Sequence, residues 1–198
     1  MKLNPKKSKE LRISFKHDNL ESPPSSIDEQ LIETVQSHKV LGLTIQSNLK
    51  WNEHINSVVS KASKRLYIIR ALRRNGVPVE DLIEIYLALL RSVLEYCCVV
   101  WHNALPAYLT EQLERVQKRA FRIILPEYTY SDALTFLKCP RLVERREKLC
   151  LKTLKNIPER SPLFNHIPAP RDYDYNLRKP YTLTTIKCRT ERYRRSFF

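Results

Sequence analysis

The sequence predicts a mainly α protein: a helical bundle preceded by a short β-rich stretch and followed by a basic tail. Three observations predict it. Asp81–Trp101 carries apolar residues at steps of three and four. The stretches around Leu11 and Val40 are short and β-like. Beyond Pro158, prolines interrupt every periodicity. The chain has 198 residues, 42% of them hydrophobic, which is enough for a real core in one domain or two small ones.

The elements follow in order. Lys9–Phe15 alternates, with Leu11, Ile13 and Phe15 on one side, as in a strand. Glu21–Asp28, with Pro23, Pro24, Ser25 and Ser26, reads as a loop. Leu31–Val35 and Val40–Ile45 read as two further strands, and strands without a covering helix must lean on something else. From Asn48, the expected N-cap, a helix shows Trp51, Ile55, Val58, Ala62, Leu66, Ile69 and Leu72 on one face. Gly76 suits the position just past its end.

Asp81–Trp101 reads as one central helix. Leu82, Tyr86, Leu89, Val93, Cys97 and Val100 form its face, widened by Ile85, Leu90, Leu94, Tyr96 and Trp101. Glu84, Arg91 and Glu95 interrupt every window of the roughly 20 apolar residues a membrane span needs, so no membrane partner is expected. After a connection at His102–Ala107, Thr110–Leu125 forms a helix with Leu113, Val116, Ala120, Ile123 and Ile124 inward. Arg115, Lys118, Arg119 and Arg122 make a basic stripe on its other side. Glu111–Arg115 and Glu114–Lys118 have the spacing of supporting ion pairs. Ser131–Lys138, capped by Ser131, and Arg141–Asn156 are two more helices. The last is expected to turn Arg145, Arg146, Lys148, Lys152 and Lys155 outward. The domain boundaries read as 1–46 for the strands, 47–158 for the helices and 159–198 for the tail.

Thirty-five Lys and Arg against 21 Asp and Glu leave a formal charge of +14, which favours an anionic partner, nucleic acid first. With only Gly42 and Gly76, the chain cannot build a phosphate-cradling glycine loop. The five cysteines have no Cys-x-x-Cys spacing, and their odd count points to a reducing compartment inside the cell, nuclear or cytoplasmic. The amino terminus has no apolar run after its basic start, so no signal peptide is expected. His17, His38, His54, His102 and His166 are scattered, and no Ser or Cys lies in a nucleophile context, so neither a catalytic site, a metal nor a cofactor is expected. His54, one turn after Trp51, reads as a packing residue. In the tail, arginines interleave with Tyr173, Tyr175, Tyr181 and Tyr193, a mixture suited to phosphates and stacked bases, while the plainer reading, and the one the residues alone favour, is a solvated basic tail.

A series of motifs then falls in a familiar order. Leu3-Asn4-Pro5-Lys6-Lys7-Ser8-Lys9 is followed by Lys39-Val40-Leu41-Gly42-Leu43, then by Leu49-Lys50-Trp51 with His54, Lys61-Ala62 and Arg65-Leu66. Arg91, Leu94-Glu95-Tyr96 and Val100-Trp101 come next, then Leu113-Glu114, Gln117-Lys118-Arg119-Ala120 and Leu142 with Arg145-Arg146. Thr190, Arg192, Tyr193 and Ser196-Phe197-Phe198 close the series. In this order the chain resembles the carboxy-terminal part of the reverse transcriptase of non-LTR retrotransposons of the jockey and related LINE-like clades, through the palm end, the primer-grip strand and the thumb. The resemblance implies thumb helices that hold a template–primer duplex by its backbone, without a base code. Candidate contacts are Lys61, Lys64, Arg65, Arg115, Lys118, Arg119 and Arg122.

The family binds Mg²⁺ on paired aspartates, and this sequence has no aromatic-x-Asp-Asp motif. Asp172 and Asp174 stand in the proline-interrupted tail, where ligands would lack rigid support. The resemblance therefore implies a fragment that begins after the catalytic residues and stops before the family's usual end. Such a chain is expected not to be an enzyme. It would bind RNA or an RNA–DNA duplex weakly and non-specifically, with a separate palm domain or another protein as a further partner. The rival reading is a catalytically inert helical protein-interaction module that offers its apolar strand surface.

Overall fold

The computed structural model describes residues 4–13 and 23–167. The protein is mainly helical, with short strands confined to its opening segment. The chain gathers into two compact units, residues 1–94 and 95–198. The expectations that rest on Leu3, Phe15, His17, Cys188, Asp172, Asp174 and the Arg/Tyr tail lie outside the described residues.

The first unit opens with six short strands in three pairs. β1 (Lys9–Leu11) runs parallel to β4 (Glu33–Val35), with Lys9 ion-paired to Glu33. The other pairs are hairpins with two-residue turns. β2 (Ser26–Ile27) turns through Asp28 and Glu29 into β3 (Gln30–Leu31), and β5 (Ser37–Val40) turns through Leu41 and Gly42 into β6 (Leu43–Gln46). All four turn residues have positive φ, as a type I′ turn demands. Three expectations are corrected here. Val40–Ile45 is a hairpin rather than one strand, Leu31–Val35 is divided at Ile32 between β3 and β4, and the expected loop at Glu21–Asp28 contains β2. A strand pattern of six residues does not reveal a turn when one turn position is a leucine.

The helix α1 (Asn52–Arg74) buries Ile55, Val58, Ala62, Leu66 and Ile69 at steps of three and four. Asn48 does not cap it; its Oδ1 accepts from the Lys50 N–H at 2.8 Å, closing a turn before the helix. At the other end Val77 N–H reaches the Leu72 carbonyl and Gly76 N–H the Arg73 carbonyl, with Gly76 at φ 77°. That is a Schellman end, and it requires the left-handed residue glycine supplies. β6 packs on α1, which supports the second hairpin.

The single helix expected over Asp81–Trp101 is divided. It comprises α2 (Val79–Ile85), a π segment at Tyr86–Arg91, α3 (Ser92–Glu95) and, after a turn with Cys97 at φ 49°, α4 (Cys98–Trp101). The buried positions are Leu82, Tyr86, Leu90, Leu94, Cys98 and Trp101; Leu82 and Tyr86 lie on the expected face and Leu90, Leu94 and Trp101 on its expected widening, whereas Leu89, Val93, Cys97 and Val100 of the expected face are not buried. A step of four overshoots one α turn by about 40°, and the wider i→i+5 turn of the π segment brings the face back into line. The Arg65 guanidinium donates to the Leu89 carbonyl inside that segment at 2.6 Å. The Trp101 indole N–H donates to the Tyr96 carbonyl at the break, at 3.1 Å.

In the second unit α5 (Ala107–Ile124) buries Leu109, Leu113, Val116, Ala120, Phe121 and Ile124. α6 (Tyr130–Phe136) and α7 (Leu142–Lys155) both pack on it. Thr129, not Ser131, caps α6, accepting from the Asp132 N–H at 3.3 Å. Among the described residues no helix is long and apolar enough to cross a membrane, and no group of three or more His, Cys, Asp or Glu could hold a metal ion.

Candidate nucleic-acid interface

The seven candidate cations fall on two helices, one in each unit. On α1, Lys61 and Lys64 are exposed, while Arg65 is half-buried and committed to Leu89. On α5, Arg115, Arg119 and Arg122 are exposed and fall within about 60° of one another on the helical wheel. Lys118 lies at the edge of this stripe, nearest the apolar face.

The ion pairs differ from the expected ones. Glu111 pairs with Arg115 at 3.7 Å, as the spacing predicts, and also takes Lys118 at 3.1 Å, two turns on. Glu114 does not meet Lys118. It is buried, accepts from the Tyr130 hydroxyl at 2.5 Å, and lies 3.6 Å from Arg141. The Gln117 amide donates to the Tyr130 oxygen at 3.0 Å and to the Pro140 carbonyl at 3.1 Å. Burial, and then the bond to Glu114, push the Tyr130 hydroxyl well above its usual range, so it stays a donor. This network ties α5 to α6 and to the start of α7.

Freed from Glu114, the Lys118 ammonium sits 5.5 Å above the Tyr130 ring. Beside it opens a pocket of about 300 Å³. Lys118, Arg119 and Arg122 line it together with Phe121, Tyr128 and Tyr130. Phe121 is buried, Tyr128 is 43% exposed, and the Tyr128 and Phe136 rings meet at 5.2 Å. Three candidate cations thus come together around aromatic rings. The sequence does not single out these tyrosines, because Tyr128 lies in the loop between α5 and α6 and Tyr130 opens the short helix α6, where no periodicity reveals them.

Arg146 departs furthest from expectation. Predicted to face outward, it is wholly buried, with its guanidinium 5.7 Å from the Trp101 ring. Its Nε donates to His102 Nδ1 at 3.3 Å, and among the described residues Nη1 and Nη2 have no hydrogen-bond partner. Burial, and then the Arg146 charge, hold His102 down at about 4, so its ring is neutral and accepts the bond. Neighbouring Arg145 pairs with Glu95 at 3.2 Å. Both arginines of this pair serve packing within the unit, and only the residues around them in space could have told this.

His54 is a packing residue, as its place after Trp51 suggests. It is buried, its ring meets Trp51 edge-on at 5.8 Å, and Nδ1 accepts from the Thr44 N–H at 3.4 Å. No family model, curated protein or solved structure matches the chain.

Proposed function

We propose that this protein is related to the thumb side of non-LTR retrotransposon reverse transcriptases, and that it binds the backbone of RNA or an RNA–DNA duplex weakly and without sequence preference. The observation that supports this reading is the exposed stripe Arg115, Arg119 and Arg122 on α5, at a net charge of +14. Cations spaced along one helix face can follow successive phosphates, whereas a base code would need side chains aimed into a groove. Arg115 is no obstacle, because an exposed ion pair such as Arg115–Glu111 contributes little and is readily exchanged for a phosphate.

Salt dependence tests it. Three phosphate contacts predict a log–log slope of binding against salt of about −3 on a duplex. Replacing Arg115, Arg119 and Arg122 together by Gln should flatten the slope by about two to three units while far-ultraviolet circular dichroism is unchanged. An unchanged slope would move the charge effect to the residues beyond Pro158. The sequence has no adjacent aspartate pair, so no polymerase activity is expected. Template-dependent nucleotide incorporation with Mg²⁺ or Mn²⁺ would overturn that part.

One observation favours the second reading, a protein-interaction module. The strands leave Leu31 71% and Leu41 87% exposed. Binding that survives high salt and is lost in Leu31→Ser with Leu41→Ser would support it.

A further inference from the structure

We propose that the pocket between Tyr128, Tyr130 and the α5 cations receives a single unstacked nucleobase, so that the protein holds single strands by base as well as by backbone. The proposal rests on the backbone-binding reading above and adds a ligand class to it. Its size is the first argument. About 300 Å³ is at the small end of ligand pockets and suits one base, not a base pair.

The wall chemistry is the second. The Tyr130 hydroxyl is already engaged by Glu114 and Gln117, so its polar end is turned inward. Tyr128 stands at the mouth, with its ring steadied by Phe136. Aromatic rings beside cations are the arrangement by which single strands are held, bases on rings and phosphates on cations. Charge layout is the third argument. The cations do not stop at the pocket rim with Arg119 and Arg122 but continue to Arg115 along the same face of α5. A lone phosphate on an aromatic side chain would need only the rim; a chain of phosphates uses the whole stripe.

The test is equilibrium binding of the full chain to three probes of equal length: a single-stranded RNA, the same backbone made abasic, and a blunt RNA duplex. The base-bearing strand should bind about tenfold tighter than the abasic one. Tyr128→Ala should erase that difference and leave duplex affinity and salt slope unchanged, and Tyr128→Phe should keep it. Equal binding of the base-bearing and abasic strands would overturn the pocket while leaving the backbone reading intact, as would an unaltered preference in Tyr128→Ala. A phosphotyrosine peptide that binds where the strands compete poorly would overturn the nucleobase in favour of a peptide. Failure of all three nucleic acids to bind would overturn both readings together.

Discussion

The strands of residues 23–50 and the helices of residues 52–155 are built on opposite terms. No described residue up to Lys50 is buried, whereas α1 alone buries six. The strands are held by type I′ turns, paired backbones, the contact of β6 with α1 and the polar cluster in which Glu10 accepts from Arg12, Ser25 and Thr34. The helices are held by buried side chains from distant parts of the sequence. Turns and polar pairing can shape a segment without protecting it, since burial is what supplies most of the free energy of folding.

The sharpest way to break this comparison is to cut one side chain from each region. Leu113, wholly buried on α5, should cost about 3–5 kcal/mol when replaced by Ala. Leu31, 71% exposed on β3, should change stability by less than about 0.5 kcal/mol. Urea unfolding of the two variants measures both. A loss for Leu31→Ala that approached the Leu113→Ala value would mean that the strand face is covered in solution.

Hydrogen exchange sharpens the same contrast without mutation. Amides of β2 and β3 should open with little free energy, and those in the middle of α1 and α5 with most of the global value, a difference of roughly a hundredfold or more in rate. Strong protection of β2 and β3 in a monomer would remove the distinction.

How far each region was legible follows from the same physics. α1, α5 and α7 came through within a few residues, because one stripe of apolar residues at a constant period defines each. In the central stretch two readings of the period differ by one residue: Leu89 and Val93 complete an α face, yet Leu90 and Leu94, expected only on its widened flank, are the fully buried pair. Only the π segment explains that, and nothing local in Tyr86–Arg91 announces it. The arginines were legible as charges but not by direction. Arg146 and Arg119 look alike in sequence, and it is Trp101 and His102, more than forty residues away, that take Arg146 inside.

That inward arginine leads to a pH test. His102 is held at about 4 against an ordinary 6.5, so folding favours its neutral form. The unfolded chain then binds the proton more readily between these values, and stability is full above about 6.5 and falls as the pH drops toward 4. With the ring partly open to water, the loss should be on the order of 1 kcal/mol for the second unit. His102→Gln, which keeps an acceptor for Arg146, should flatten the dependence between pH 4 and 6.5 as followed by urea unfolding. An unchanged profile would place the titration elsewhere.

The smallest expected effect is a gain, and it lies in the region that burial does not hold. Leu41 occupies the first central position of the β5–β6 turn at φ 47°, followed by Gly42 at φ 87°. A leucine pays for that left-handed conformation in steric energy, and at 87% exposure it recovers almost nothing by burial. Asn tolerates the conformation best of the non-glycine residues, and Asn-Gly is the strongest two-residue signal for this turn. Leu41→Asn should therefore stabilise the hairpin by about 0.5 kcal/mol, read as slower exchange of the β5 and β6 amides with α5 amides unchanged. If it instead destabilises, the Leu41 side chain has a contact in solution that its 87% exposure does not reveal.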